Sequence, residues 1–89
     1  MSEKRARVEE RLKEENPKAL FADGFDDCIL GIAYCAGRDP LVAYDTELCI
    51  RLLMDRDGME RDEAEEFFEF NTVSAFVGEG TPLFIDTEV

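Results

Sequence analysis

The chain has 89 residues, 22 of them acidic and 10 basic, with no histidine and a formal net charge of -12. That length supports one hydrophobic core and leaves no room for separate catalytic and regulatory units. An apolar content of 45% suits a packed globule rather than a disordered acidic tail, and the charge excludes direct binding to nucleic acid or an anionic membrane, since both carry the same sign.

Residues 2–15 are predicted to form a helix, with Glu3 and Arg7, Glu9 and Lys13, and Arg11 and Glu15 spaced as i,i+4 pairs. Only Ala6, Val8 and Leu12 offer apolar contact, so this helix is expected to pack lightly, fray or meet a partner. Asn16-Pro17 ends it, because the residue before proline is pushed out of the helical region. The helix is neutral, with five acidic and five basic residues through Asn16, so residues 17–89 carry the whole net charge. The division expected is a charged N-terminal helix over 1–16 and a single α+β domain over 17–89. Residues 1–15 have no apolar stretch that would make a signal peptide or membrane anchor.

Asp23-Gly24 reads as a turn. Residues 28–35, Cys-Ile-Leu-Gly-Ile-Ala-Tyr-Cys, read as a strand apolar on both faces, as when both sides of a sheet are covered. Leu30, Ile32 and Tyr34 form one face; Ile29 with the small Gly31 and Ala33 forms the other, where a helix is expected to approach closely. Residues 37–40 make a hairpin connection back into a strand at Leu41, Val42, Ala43 and Tyr44. Asp45 or Thr46 caps the next helix, with Glu47 in its first turn. Leu48, Cys49, Ile50, Leu52, Leu53 and Met54 make it the central core helix, Gly58 stops it, and Met59 staples the next. That second helix is predicted over Glu60 to Ala75, with Ala64, Phe67, Phe68 and Ala75 facing inward. Gly78 and Gly80 break it, and Thr81 to Ile85 forms a last strand, at an edge if Pro82 lies within it.

The predicted fold is α+β: a small three-stranded, mainly antiparallel sheet packed against a helical hairpin, in the order α-β-β-α-α-β. The first strand is the most apolar and so suits the centre of the sheet, whereas a plain meander would place the second there. Cys28, Cys35 and Cys49 contain no CxxC pair and sit in apolar runs, which points to small core residues in a reducing, cytoplasmic setting.

Chemical templates are few. Asp55-Arg56-Asp57-Gly58 looks like a calcium loop, but placing Gly58 sixth puts Leu53 first and Ala64 twelfth, where oxygen ligands are required. A chain without histidine has no imidazole base or mixed-ligand zinc site, and no phosphate-binding loop occurs. No cofactor, metal site or catalytic residue is therefore assigned. Asp23, Asp26, Asp27 and Asp45, with Asn71 and Thr81, are the candidates for a polar site, and the four aspartates carry the rival reading of a carboxylate metal enzyme. Asn71 falls on the stripe of Phe67, Phe68 and Ala75, where a buried amide must be hydrogen-bonded; its expected role is to tie down the Gly78 to Pro82 loop.

Asp62, Glu65, Glu66 and Glu69 lie three and four apart on the outer face of the second hairpin helix, a costly arrangement unless a cation answers it. Residues 55–69 hold eight acids against two arginines, half of the net charge. The bland alternative is a solvated face, or a surface shaped by salt or genome composition. The functional reading is a surface for a basic protein partner.

The segments Asp23-Gly24-Phe25-Asp26-Asp27, Val42-Ala43-Tyr44-Asp45, Asp57-Gly58-Met59 with Glu63-Ala64, Phe68-Glu69-Phe70-Asn71 and Gly78-Glu79-Gly80-Thr81-Pro82-Leu83-Phe84 together resemble a family of short uncharacterised proteins of bacteria and tailed phages. The resemblance covers residues 20–85 and departs at Glu60, where a small hydroxyl residue would cap the helix. It implies the α+β architecture and a prokaryotic or phage origin, and no catalytic residue. The expectation is thus a small cytoplasmic, non-enzymatic binding protein for a basic partner, with a nucleic-acid mimic that blocks a host defence or DNA-handling protein as its sharper form. The third alternative is a homo-oligomeric piece assembling through the N-terminal helix.

Overall fold

A computed structural model describes residues 3–73 and 77–89. The elements are α1 (Glu3–Glu15), β1 (Ile29–Cys35), β2 (Arg38–Asp45), α2 (Thr46–Asp57), α3 (Arg61–Phe68) and β3 (Leu83–Ile85). A 3-10 turn, Asp26–Cys28, precedes β1, and a π-helical turn, Glu69–Val73, continues α3. The fold is α+β in the predicted order. Among the described residues no helix is long and apolar enough to cross a membrane.

The sheet order is β1-β2-β3, so β2 rather than the more apolar β1 takes the centre. β1 and β2 pair antiparallel across the two-residue turn Ala36-Gly37, where Gly37 supplies φ 79°. β3 pairs with β2 in parallel, placing Leu83 beside Ala43 and Ile85 beside Asp45. The Tyr44 ring stacks on Phe84 at 5.4 Å between centroids and draws β3 against β2.

The two faces of the sheet differ sharply. Ile29, Val42 and Tyr44 share one core cluster with Val8 and Leu12 of α1, Cys49, Ile50 and Leu53 of α2, and Ala64 and Phe68 of α3; Ile32 and Phe84 pack against it. All three helices therefore cover one face. The register puts Gly31, Ala33, Leu41, Ala43, Leu83 and Ile85 on the other; none belongs to the core cluster, although Ala43 at the centre of that face is 4% exposed. Among the described residues no helix packs against Gly31 and Ala33, and a Cβ on Gly31 would meet none of their atoms within 4 Å. Leu30, the extra residue of a β-bulge, is exposed, as are Tyr34 and Cys35, so β1 is an edge strand and not one covered on both sides. Of the three cysteines, Cys28 and Cys49 are core residues and Cys35 is not.

α1 packs more firmly than its composition suggests, because Val8 and Leu12 are 5% and 2% exposed. Its end is fixed by Asn16, whose Nδ2 donates to the Pro40 carbonyl at 2.9 Å while its Oδ1 accepts from the Lys18 N–H at 3.2 Å. Pro40 has no N–H to give a ladder, and Asn16 satisfies its carbonyl instead. The helix stops follow local chemistry. Asp45 Oδ1 caps α2, accepting from the N–H groups of Glu47 and Leu48 at 2.9 and 3.3 Å. Gly58 closes α2 in the left-handed region at φ 68°.

The second hairpin helix differs from expectation after Phe68. The Asn71 Nδ2 donates to the Phe67 carbonyl at 3.1 Å, the acceptor that the Asn71 backbone N–H would use in an α-helix. In the π turn that follows α3 the backbone departs from that pattern, and the Asn71 side chain bonds the carbonyl. Asn71 is therefore exposed and locally engaged rather than buried on an apolar stripe. Phe67, expected inside, is 39% exposed and Phe70 is 71% exposed; only Ala64 and Phe68 face the core, and Ala75 lies outside the described residues.

Candidate functional site

Phe70, 71% exposed, stands in a shallow hollow of about 490 Å³ lined by Asp62, Glu63, Glu66, Phe67 and Asn71. α3 sets Glu66 one turn on from the adjacent Asp62 and Glu63, and Phe70 of the π turn stands beside them. Asp62, Glu63 and Glu66 are all exposed, and none forms an ion pair among the described residues. The arrangement is a ring edge and face bordered by carboxylates, which suits a guanidinium: the ring attracts the cation and the acids accept its N–H groups.

The structure divides the four acids predicted for this surface. Asp62 and Glu66 line the hollow, and Glu63 joins them. Glu65 turns away and accepts from Arg61 Nε at 3.0 Å. Glu69, the first residue of the π turn, is exposed and not among the hollow's lining residues. Sequence spacing alone missed Glu63, Phe67 and Phe70, because a strict 3.6-residue period assigns Phe67 inward.

The second set of predicted polar residues is dispersed. Asp26 accepts from Arg5 at 2.8 Å, and Asp45 caps α2. The Thr81 hydroxyl accepts from the Val77 N–H at 2.9 Å and donates to the Gly78 carbonyl at 2.6 Å, closing the loop before β3. Asp23 and Asp27 are exposed on the loop before β1. Among the described residues no three acids or cysteines come together as a metal-binding group. A larger hollow of about 580 Å³ beside the hairpin tip sets Lys18 and Arg38 against Asp39 and Glu79, so it presents no net charge of either sign.

One buried carboxylate organises the base of the acidic helix. Glu47, 9% exposed, accepts from both terminal nitrogens of Arg61 at 2.7 Å and from Arg51 Nε at 3.1 Å. Those hydrogen bonds, Arg61's foremost, hold the Glu47 carboxyl at about 2, well below the usual range, against the opposing effect of burial. The fork clamps the start of α3 to the first turn of α2 and so fixes the direction in which Asp62, Glu63 and Glu66 point. The i,i+4 spacing of Glu47 and Arg51 hinted at it in the sequence; Arg61, fourteen residues on, did not. A depressed carboxylate pKa stabilises the fold fully above the ordinary value of 4.5, and that contribution is lost as pH falls towards about 2. The stability gap between the native chain and Glu47→Gln, measured by urea unfolding, is expected to narrow across that window and close below it. A gap unchanged from neutral pH to pH 2 would contradict the assignment.

Comparison with protein-family models, curated proteins and solved structures yields no match to this chain.

Proposed function

We propose that this chain is a small, non-enzymatic binding protein that engages an arginine-bearing segment of a basic protein partner on the outer face of α3. The observation that carries this reading is the hollow around Phe70, where three carboxylates with no ion pair among the described residues border a 71% exposed aromatic ring. A solvated acidic face has no use for an exposed phenylalanine, which costs solubility and gains nothing from water. A cationic segment satisfies both features at once. The net charge of -12 speeds the encounter by steering such a partner from a distance.

Titration calorimetry with an arginine-rich peptide tests this directly. Binding is expected to weaken steeply from low to high salt, because the attraction of exposed charges is screened. The Asp62→Lys/Glu66→Lys double variant is expected to abolish it, and Phe70→Ala to weaken it roughly 2- to 30-fold, the range of a cation resting on an aromatic ring. Competition by duplex DNA for a natural partner would place that partner among nucleic-acid-handling proteins and support the mimic form. Binding that survives high salt and ignores all three substitutions would remove the proposal.

A further inference from the structure

Two buried nucleophiles play no part in the binding surface. Cys28 closes the 3-10 turn before β1, Cys49 lies in the first turn of α2, and that 3-10 turn packs against the helix. They stand 21 residues apart in the chain, yet both belong to the core cluster, at 2% and 0% exposed, and their thiols hydrogen-bond to each other. A single core cysteine is ordinarily a small apolar filler. Two of them with sulfurs in contact, by contrast, stand close enough for a disulfide to join the 3-10 turn to α2 with local movement only.

We propose that Cys28 and Cys49 form a redox staple, a dithiol pair that hydrogen peroxide converts into a disulfide tying the loop before β1 to α2. The two thiols are not equivalent. The hydrogen bond from Cys49 lowers the Cys28 pKa, with help from Arg56 and against burial, Asp27 and Asp45; the same bond and burial raise that of Cys49. Cys28 is thus the sulfur that ionises first and attacks.

The Cys28 thiolate attacks one peroxide oxygen, the O–O bond breaks, and the departing hydroxide takes up the Cys28 proton as water, leaving a sulfenic acid at Cys28. The Cys49 sulfur then displaces that hydroxyl, which leaves as a second water with the Cys49 proton. Two thiols have given up two electrons and two protons, and one peroxide has become two waters. Because both sulfurs are buried, the reaction waits on opening of the 3-10 turn, and the same burial shields the closed bond from reductants. Cys35 is exposed at the far end of β1, about 20 Å along the strand, against the roughly 7 Å limit between the Cα atoms of a disulfide, so it takes no part within one chain.

Differential alkylation read by mass spectrometry tests the pair without any partner. Cys35 of the native full chain is first blocked with one alkylating reagent, peroxide is added, and the chain is unfolded and treated with a second reagent. The expected product has lost two hydrogens, offers no thiol to the second reagent, and yields a cross-linked peptide joining Cys28 to Cys49; dithiothreitol restores both thiols. Its melting temperature is expected to lie roughly 10 °C above that of the reduced chain, since the bond closes a loop of the unfolded chain. Cys28 and Cys49 both still open to the second reagent, or oxygen added to either sulfur with no cross-link, would overturn the pair; a melting temperature unchanged by the bond would overturn the staple.

Discussion

Replacing Tyr44 by alanine is expected to destabilise the chain by about 3–5 kcal/mol, the cost of emptying a fully buried aromatic site. Tyr44 is the largest side chain with no exposure at all, and it stands on the central strand. Its ring stacks on Phe84 of β3, and Phe84 meets Phe68 of α3 edge-on at 5.3 Å, so one ring links two strands and the helical layer. Its hydroxyl accepts from the Ala22 N–H at 2.7 Å and holds the loop before β1. Domains of this class have about 5–15 kcal/mol in total, so urea unfolding should show much of the stability gone. Tyr44→Phe keeps the rings and removes only the acceptor, for a smaller loss of about 1–3 kcal/mol. A Tyr44→Ala chain within about 1 kcal/mol of the native one would mean that the sheet and helices are held elsewhere.

The second large effect is expected at Gly80. A Cβ there would run into the carbonyl oxygen of Lys18, and both partners are backbone, so no side chain can swing aside. The Leu20 N–H donates to the Gly80 carbonyl at 2.9 Å at the same crossing. Gly80→Ala must push the 16–20 segment off the loop that leads into β3, at a cost of about 1–3 kcal/mol or more. A Cβ in Gly78→Ala, at the neighbouring turn, meets none of the described residues, but φ there is 110°, so the strain should cost less, about 1 kcal/mol. Equal melting temperatures for Gly80→Ala and the native chain would show that the two segments do not cross closely.

Local chemistry made much of this fold readable. Asn16-Pro17, Asp45 and Gly58 each stop or start a helix through their own backbone preferences, and the structure uses each in the predicted role. What the sequence hid is set at long range. β3 returns to pair in parallel with β2 because Phe84 finds Tyr44, a contact spanning forty residues that no turn residue announces. Which face of the sheet the helices cover was also hidden, since Gly31 and Ala33 read as seats for a helix of the same chain, whereas all the described helices lie on the face of Ile32, Val42 and Tyr44. The acidic helix was legible in spacing and not in detail. Asn71 bonds the Phe67 carbonyl within the π turn, and Phe67 and Phe70 stand exposed, giving the acids the aromatic companions on which the binding proposal depends.

That dependence can be read residue by residue. Nitrogen-15 correlation spectra of the full chain, recorded while an arginine-rich peptide is added at low salt, report which amides feel the ligand. A site on the outer face of α3 gives saturable shifts confined to α3 and the π turn, centred on Asp62, Glu63, Glu66 and Phe70, with the amides of Gly31 and Leu83 unmoved. Shifts spread evenly over all the acids of the chain, or centred on the sheet face, would contradict it.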